Sequence, residues 1–413
     1  MPDAIDVLIA GAGFSGLVLA QRLSEAGLKC VVLERRSHLG GNAYDAPDEN
    51  GVLYHHYGPH YFRTNSRVVR DYLSRFTDWT PADYRIKSYT DGQYWSFPVN
   101  LATYEQLIRK PATEAEFAAW LEQERVPCKH PANSEEVILA NAGPTFYELF
   151  FKGYTLKQWD RHPRDLDPSV CSRIPVRTTR DDHYLREEFQ ALPTEGFSRL
   201  FERMIDASPG LKVLLNADFH TARHHYQPRH TIYTGPVDAY FNHCHGHLPY
   251  RSLRFEVESL TADQLTAQNR AEISGEPGHW QPALQVNYPN DETFTRIVEI
   301  KYATGQQTPH TNIVREYPLA ADATHEPYYP IPAPDTRAQY EKYRAAAAAE
   351  PHTSFIGRLA TYHYYNMDQV VALALHEADR LLAPAGPLAV NSCQQRAVPA
   401  SKQIGSAGFP AGA

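Results

Sequence analysis

The chain has 413 residues, long enough for two or three packed units around a large core. Its 40 basic and 48 acidic side chains leave a formal charge of −8, which argues against nucleic acid as a partner. No apolar run reaches the roughly 18 residues that cross a bilayer, so no membrane partner is expected. The five cysteines, at 30, 128, 171, 244 and 393, are scattered and lack C-x-x-C spacing. With no secretory leader before the first apolar run, they fit a reducing cytoplasm and suggest no metal centre.

An apolar run from Ile5 to Ile9 leads into GAGFSG, with glycines at 11, 13 and 16. Leu17, Leu19, Leu23 and Ala26 follow at helical spacing, and a second apolar run, Cys30 to Leu33, ends at Glu34. The pattern is strand–turn–helix–strand with an acid at the tip of the second strand. Gly11 permits the tight turn, Gly13 lets the backbone approach a pyrophosphate, and Gly16 allows close helix–strand packing. Phe14 and Ser15 open the helix, whose N-terminal N–H groups face the phosphates. Glu34 can accept from a ribose diol. Arg35 follows, and then a second glycine pair, Gly40–Gly41, with Asn42 beside it. Flavoproteins of the glutathione-reductase type carry such a loop along FAD, and nicotinamide dehydrogenases usually lack it. FAD is the expected cofactor.

Further along, YHHYGPHYFRTN (54–65) holds a Gly58-Pro59-His60 turn able to press its backbone on a flavin ring. That turn keeps His56 and His60 off any shared helix face. Residues 84–100 alternate as a hairpin turning at Asp91-Gly92, and 101–152 are helical, with a start at Ser134. The segment 150–184 interleaves Lys152, Lys157, Arg161, Arg164, Arg173, Arg177 and Arg180 with Phe150, Phe151, Tyr154, Trp159 and Tyr184. Arginine forks match phosphate oxygens and aromatic faces stack a base, so an anionic, ring-bearing ligand is expected here. A solvated face paired with Asp160, Asp165 and Asp167 is the plain alternative. A helix at 196–207, a strand at 213–218 and a strand ending in Thr234-Gly235-Pro236 follow. Cys244 in HCHGH reads as loop or strand rather than a metal ligand. Residues 251–257 and 283–302 alternate, giving an antiparallel sheet. Helices at 336–350 and 362–382 flank a glycine-arginine loop, and 385–413 read as a disordered tail.

Taken together, GAGFSG with ERRSHLGGNAY, YGPH, FFKGYTLKQW, RIPVR…DDHY, IYTGPVDAYF, TRIVEIK, REYP, EPYYP and GRLATYHYYNMDQV resemble the UDP-galactopyranose mutases. The likeness runs from about residue 5 to residue 382. It implies an α/β fold: a discontinuous Rossmann-like FAD-binding domain (1–83, 195–243, 333–384), a helical insertion (100–170) and an antiparallel sheet domain (84–99, 171–194, 244–332). It also implies exchange of UDP-galactopyranose and UDP-galactofuranose through a reduced-flavin N5–sugar adduct, an external reductant such as NAD(P)H, a UDP-sugar substrate, a homodimer and a place in cell-surface polysaccharide synthesis.

By position, Phe150, Phe151, Tyr154, Thr155 and Trp159 would hold the uridine, with Asn287 at the nucleotide site. Arg173 and Arg296 would clamp the diphosphate, and Tyr184, Tyr329 and Tyr364 would bond it. His60, Gly357, Arg358, Asn366 and Met367 would border the flavin. Five positions depart from the family pattern, one of them Ile356, which precedes Gly357 where the family has Gly-Gly-Arg. Arg63 stands for a histidine near the flavin, where a cation can steady reduced flavin or touch an altered sugar. Asn366 stands for an aspartate near the substrate, Asp368 for a histidine and Asp160 for a glycine. These leave a different nucleotide sugar (N-acetylated, deoxy or pentose) open. An amine-oxidase-like FAD oxidoreductase and an inactive nucleotide binder also stay open.

Overall fold

A computed structural model describes residues 2–322 and 324–389 and the backbone of the strand Ile404–Ser406. Two sheets organise it. The first has six parallel strands in the order Thr353–Phe355, Tyr226–Tyr233, Asp3–Ala10, Cys30–Leu33, Leu211–Leu215, Ile404–Ser406. Its central strands are continuous apolar runs because both faces are covered. Val7, Ile9 and Val32 join one core with the helix Phe14–Glu25, while Leu8, Val31 and Leu33 join another on the opposite face. Leu17, Leu19 and Leu23 of that helix are fully buried. Each contributes about 1.5–3 kcal/mol of transfer free energy. The final helix packs across the first.

The second sheet has seven strands, in the order Tyr329–Pro330, Tyr250–Leu260, Thr311–Ala320, Arg296–Val298, Gln285–Asn287, Ile86–Thr90, Gln93–Phe97. The hairpin turns at Asp91 (φ 52°) and Gly92 (φ 74°), both left-handed, as its register requires. The expected antiparallel sheet is in fact mixed. Gln285–Asn287 runs parallel to the Ile86–Ser88 stretch, because these strands come from distant parts of the chain and no tight turn joins them.

Helices Leu101–Ile108, Glu114–Glu124 and Ser134–Phe146 form the insertion, held by Tyr104, Phe117, Trp120 and Phe146. The third is capped by Asn133, whose side chain accepts from Glu136 N, so Ser134 is its first residue and not its cap. A π-turn, Tyr147–Phe151, then leads into the helix Lys152–Trp159. The extra residue in that turn re-aims two consecutive phenylalanines, a device common at functional sites.

Other expectations shift too. The end of segment 171–194, expected with the second sheet, forms the strand Phe189–Pro193 between Phe62–Thr64 and Trp79–Pro81. The final helix spans Met367–Leu382 rather than starting at 362. Tyr362 sits at φ 48°, outside the helical region, and Asn366 takes the cap position. Within the expected disordered tail 385–413, Leu388 is buried and Ile404–Ser406 pair with Val213–Leu215. The remainder, 390–403 and 407–413, lies outside the described residues.

Candidate active site

A trough runs between the two sheets as three joined cavities. The first, about 340 Å³, is of a size common to cofactor sites. Gly11, Gly13, Phe14, Ser15, Glu34, Arg35, Gly41, Asn42, His60, Gly357, Arg358 and Met367 all line it. Gly16 does not; it packs under the turn, where a Cβ would stand 1.9 Å from Gly11 O. Gly41 crosses so close to Gly13 that a Cβ on it would meet the Gly13 Cα at 3.2 Å. Glu34 is buried, with Oε2 accepting from Ala12 N at 2.7 Å and Oε1 from Arg36 N at 2.9 Å. Both bonds fix the carboxylate at the strand tip. Sequence reasoning missed the wall opposite: Arg36, Asp218, Phe219, His220 and Tyr328. Arg36 is held by Asn42 Oδ1 at 3.0 Å, by Glu326, and by the Tyr57 ring 4.2 Å from its guanidinium carbon.

The middle cavity shares Asn42, His60, Arg358 and Met367 with the first, and adds Arg63 and Asn366. His60 is kept neutral. Burial, then the neighbouring His55, Arg358 and Arg296, lower its pKa to about 3. Its Nδ1 lies 2.9 Å from Gly58 O and so carries the proton. Arg63 does not offer a bare cation. Its Nη1 meets both Glu187 oxygens, at 2.9 and 3.2 Å, and Asp368 is close by. Asn366 opens the final helix, where its N–H donates to Gln369 Oε1 at 2.9 Å.

The third cavity is aromatic. Phe150, Phe151, Tyr154, Thr155, Trp159 and Asn287 line it with Phe97 and Gln285. The two phenylalanines come from the π-turn and the next three from the helix after it. Gly153 seats that helix on the second sheet; a Cβ there would be 2.5 Å from Pro289 O and Asn290 Oδ1. Lys157 Nζ fastens the same contact by donating to Glu292 O at 2.8 Å and Phe294 O at 3.1 Å.

Between the aromatic and middle cavities, and lining both, stand Tyr84, Arg173, Tyr184, Arg296, Tyr329 and Tyr364. Arg296 Nε lies 2.8 Å from Oε2 of Glu316, a fully buried carboxylate. Burial raises the Glu316 pKa while Arg296 opposes the rise. Arg173 has no carboxylate within ion-pair distance among the described residues. Its guanidinium carbon sits 4.9 Å from the Tyr364 ring centroid, and that of Arg358 5.0 Å away on the same ring. Burial pushes the Tyr364 phenol up, but Arg173, Arg358 and Arg296 outweigh it and lower its pKa to about 8.

Of the seven basic residues expected to meet an anion, only Arg173 reaches the trough. Lys152 pairs with Glu148, Arg161 with Asp335, Arg164 with Glu135, Arg177 with Asp181 and Arg180 with Glu105. These are exposed or half-exposed pairs of the kind worth about 0–1 kcal/mol. Arg296, which faces Arg173 across the trough lining, comes from the strand Arg296–Val298 of the second sheet.

The family model for UDP-galactopyranose mutase matches residues 149–364, a span that includes Phe150 and Phe151 of the π-turn, Arg173, Arg296 and Tyr364. The chain belongs to the UDP-galactopyranose mutase family. A Rossmann-like dinucleotide-binding model matches residues 9–76. The chain is 36% identical over 383 residues to the probable UDP-galactopyranose mutase of Klebsiella pneumoniae, covering 92% of this chain and 95% of that one. It is 31% identical over 378 residues to the dTDP-fucopyranose mutase of Escherichia coli, covering 89% and 96%. A crystal structure of reduced UDP-galactopyranose mutase superposes with a TM-score of 0.71 at 17% identity, covering 92% of this chain and 94% of that one. Among the described residues no helix is long and apolar enough to cross a membrane.

Proposed function

We propose that this protein interconverts the pyranose and furanose rings of a UDP-sugar, galactose foremost, with FAD held in the glycine-lined cavity. One observation carries the reading. In a single trough an aromatic end, a cluster of arginines and tyrosines, and a dinucleotide end follow one another. A nucleotide sugar has the same sequence of parts: a base, two phosphates, and a sugar that reaches the cofactor.

The cofactor end fits FAD. The Gly13–Gly41 crossing leaves room where side chains would block a pyrophosphate. The fixed Glu34 suits an adenosine ribose, and neutral His60 adds no charge beside an isoalloxazine ring. Reduced flavin bound there supplies an electron-rich nucleophile, so the chain needs none of its own.

The protein's share is binding, orientation and charge. Arg173, at the end of the short helix Ser169–Ser172, and Arg296, on the second sheet, approach the diphosphate from different elements, so a substrate that engages both draws the trough walls together. Arg173 offers a positive charge unpaired among the described residues, whereas Arg296 arrives paired with Glu316. Tyr184, Tyr329 and Tyr364 present hydroxyls to phosphate oxygens and exclude water with their rings, while the Tyr84 hydroxyl donates to Gln285 Oε1. Arg358 is oriented by Tyr365 O, 2.6 Å from its Nη2, and faces both cofactor and sugar ends. Asn287 receives a hydrogen bond from Gln285 Nε2 at 2.7 Å, which leaves its amide N–H groups for the base.

Purified flavin-loaded protein, UDP-galactofuranose and dithionite test the proposal, with the product read by chromatography. UDP-galactopyranose forms only in the reduced sample. No conversion of UDP- or dTDP-linked sugars in either redox state would overturn it. An external NAD(P)H reductant, a homodimer, a cytoplasmic location and a role in surface-polysaccharide synthesis rest on the family resemblance alone. Light scattering that finds only a single-chain mass would remove the dimer.

A further inference from the structure

The loop joining the first sheet to the second gathers three metal-ligand side chains that the proposed reaction does not use. Asp238 lies on the short helix Val237–Tyr240, two residues after the Pro236 that lines the cofactor cavity. His243 and His247 follow in HCHGH. One ligand atom from each of the three lies within 4.8 Å of the others. His243 Nδ1 is 3.2 Å from Asp238 Oδ2. Two ligands of a tetrahedral ion with bonds of about 2.0–2.1 Å stand roughly 3.3 Å apart, so this edge is already at coordination spacing. The two imidazoles lie face to face, with centroids 3.8 Å apart and planes at 31°.

Asp238 is 3% exposed. Its Oδ2 accepts from Leu248 N at 3.0 Å and lies 3.2 Å from His243 Nδ1. The neighbouring Tyr250 hydroxyl reaches Leu359 O at 3.3 Å and also stands beside the Asp238 carboxylate. A buried carboxylate beside two imidazoles gains from a cation held between them. The loop's outer rim is also anchored, since Gln339 Nε2 donates to His245 O at 3.1 Å and to His247 O at 3.0 Å.

We infer that Asp238, His243 and His247 form a site for a divalent first-row metal ion, zinc in the first instance. Two imidazoles and one carboxylate, with the fourth position open to solvent on the exposed His247 side, match that ion class. The ion clips the turn beneath the cofactor cavity to the loop that enters the strand Tyr250–Leu260. Sequence alone offered no reason to expect a metal centre. Histidines make the site, and Cys244 stands outside the cluster.

The test uses full-length, flavin-loaded protein, stripped with chelator, dialysed against zinc alone, and assayed for zinc per chain and for Tm. The wild type retains one zinc and melts higher with it. His243→Gln/His247→Gln keeps its flavin but loses both the zinc and the shift, while Cys244→Ser keeps both. Equal zinc content and equal Tm shift in wild type and the double histidine variant would overturn the site. So would loss of zinc in Cys244→Ser alone.

Discussion

Arg296→Ala removes the arginine that the second sheet contributes to the trough, and its effect can be worked from the Arg296–Glu316 pair. In the wild type the two charges are 2.8 Å apart and Glu316 is fully buried, so the diphosphate meets a pair that is nearly neutral overall. Truncating one member of a buried, paired charge costs about 2–5 kcal/mol. That corresponds to a loss of about 30- to 5,000-fold in kcat/KM for the UDP-sugar. The pH dependence follows from what is left. Burial raises the Glu316 pKa and Arg296 lowers it, so without Arg296 the carboxyl stays protonated to higher pH. As pH climbs through that raised value, Glu316 ionises and sets an unpaired anion beside the phosphates. KM for Arg296→Ala therefore rises with pH. Arg296→Ala/Glu316→Gln lacks that rise and binds UDP more tightly than Arg296→Ala in alkaline buffer. Steady-state kinetics under dithionite read all three, with flavin content as the control for folding. Activity of Arg296→Ala within about threefold of wild type would refute the clamp, since about threefold is only roughly 0.7 kcal/mol.

Three further outcomes follow from the same geometry. Glu34→Gln weakens a charge-assisted bond to the cofactor ribose, so the FAD dissociation constant of the apoprotein rises about 10- to 150-fold, read by flavin fluorescence. Tyr364 ionises near pH 8 in substrate-free protein, seen as a phenolate absorbance step that Tyr364→Phe lacks. UDP moves that step to higher pH, because the diphosphate neutralises the arginines that favour the phenolate. His55 and His60 have folded pKa values lowered to about 3 against an ordinary 6.5. The unfolded chain therefore binds protons that the folded one refuses. Stability is lost as pH falls from about 6.5 toward 3, and urea midpoints drop between pH 7 and pH 5 by less in His60→Asn than in wild type.

The local code was readable wherever function and backbone geometry demanded the same residues. GAGFSG with Glu34 specifies the turn, the helix N-terminus and the ribose acid within one short stretch, and Asp91-Gly92 specifies its hairpin. FFKGYTLKQW placed aromatic residues and Gly153 within one π-turn and helix, so they reached the trough together. What escaped were features set by pairing between distant segments. Nothing in Gln285–Asn287 or Ile86–Ser88 shows that they lie parallel, and nothing in Phe189–Pro193 shows that it joins strands from residues 62–81. The basic residues of 150–184 illustrate the same limit. Arg161 and Arg173 look equivalent in sequence, yet one meets Asp335 on the surface and the other faces Tyr364 in the trough. Glu316, inside REYP, carried no sign that it would sit under Arg296. Its burial arises from the Thr311–Ala320 strand lying inside the sheet, between Tyr250–Leu260 and Arg296–Val298.

The order of parts along the trough is the central claim, and a crystal structure of the reduced protein with UDP-galactopyranose tests it most directly. The account predicts uracil among Phe150, Phe151, Tyr154 and Trp159, phosphates between Arg173 and Arg296, and the anomeric carbon toward the flavin beside His60. A base seated at the cofactor end, or phosphates held by Arg35 and Arg36 with Arg173 and Arg296 uncontacted, would contradict it.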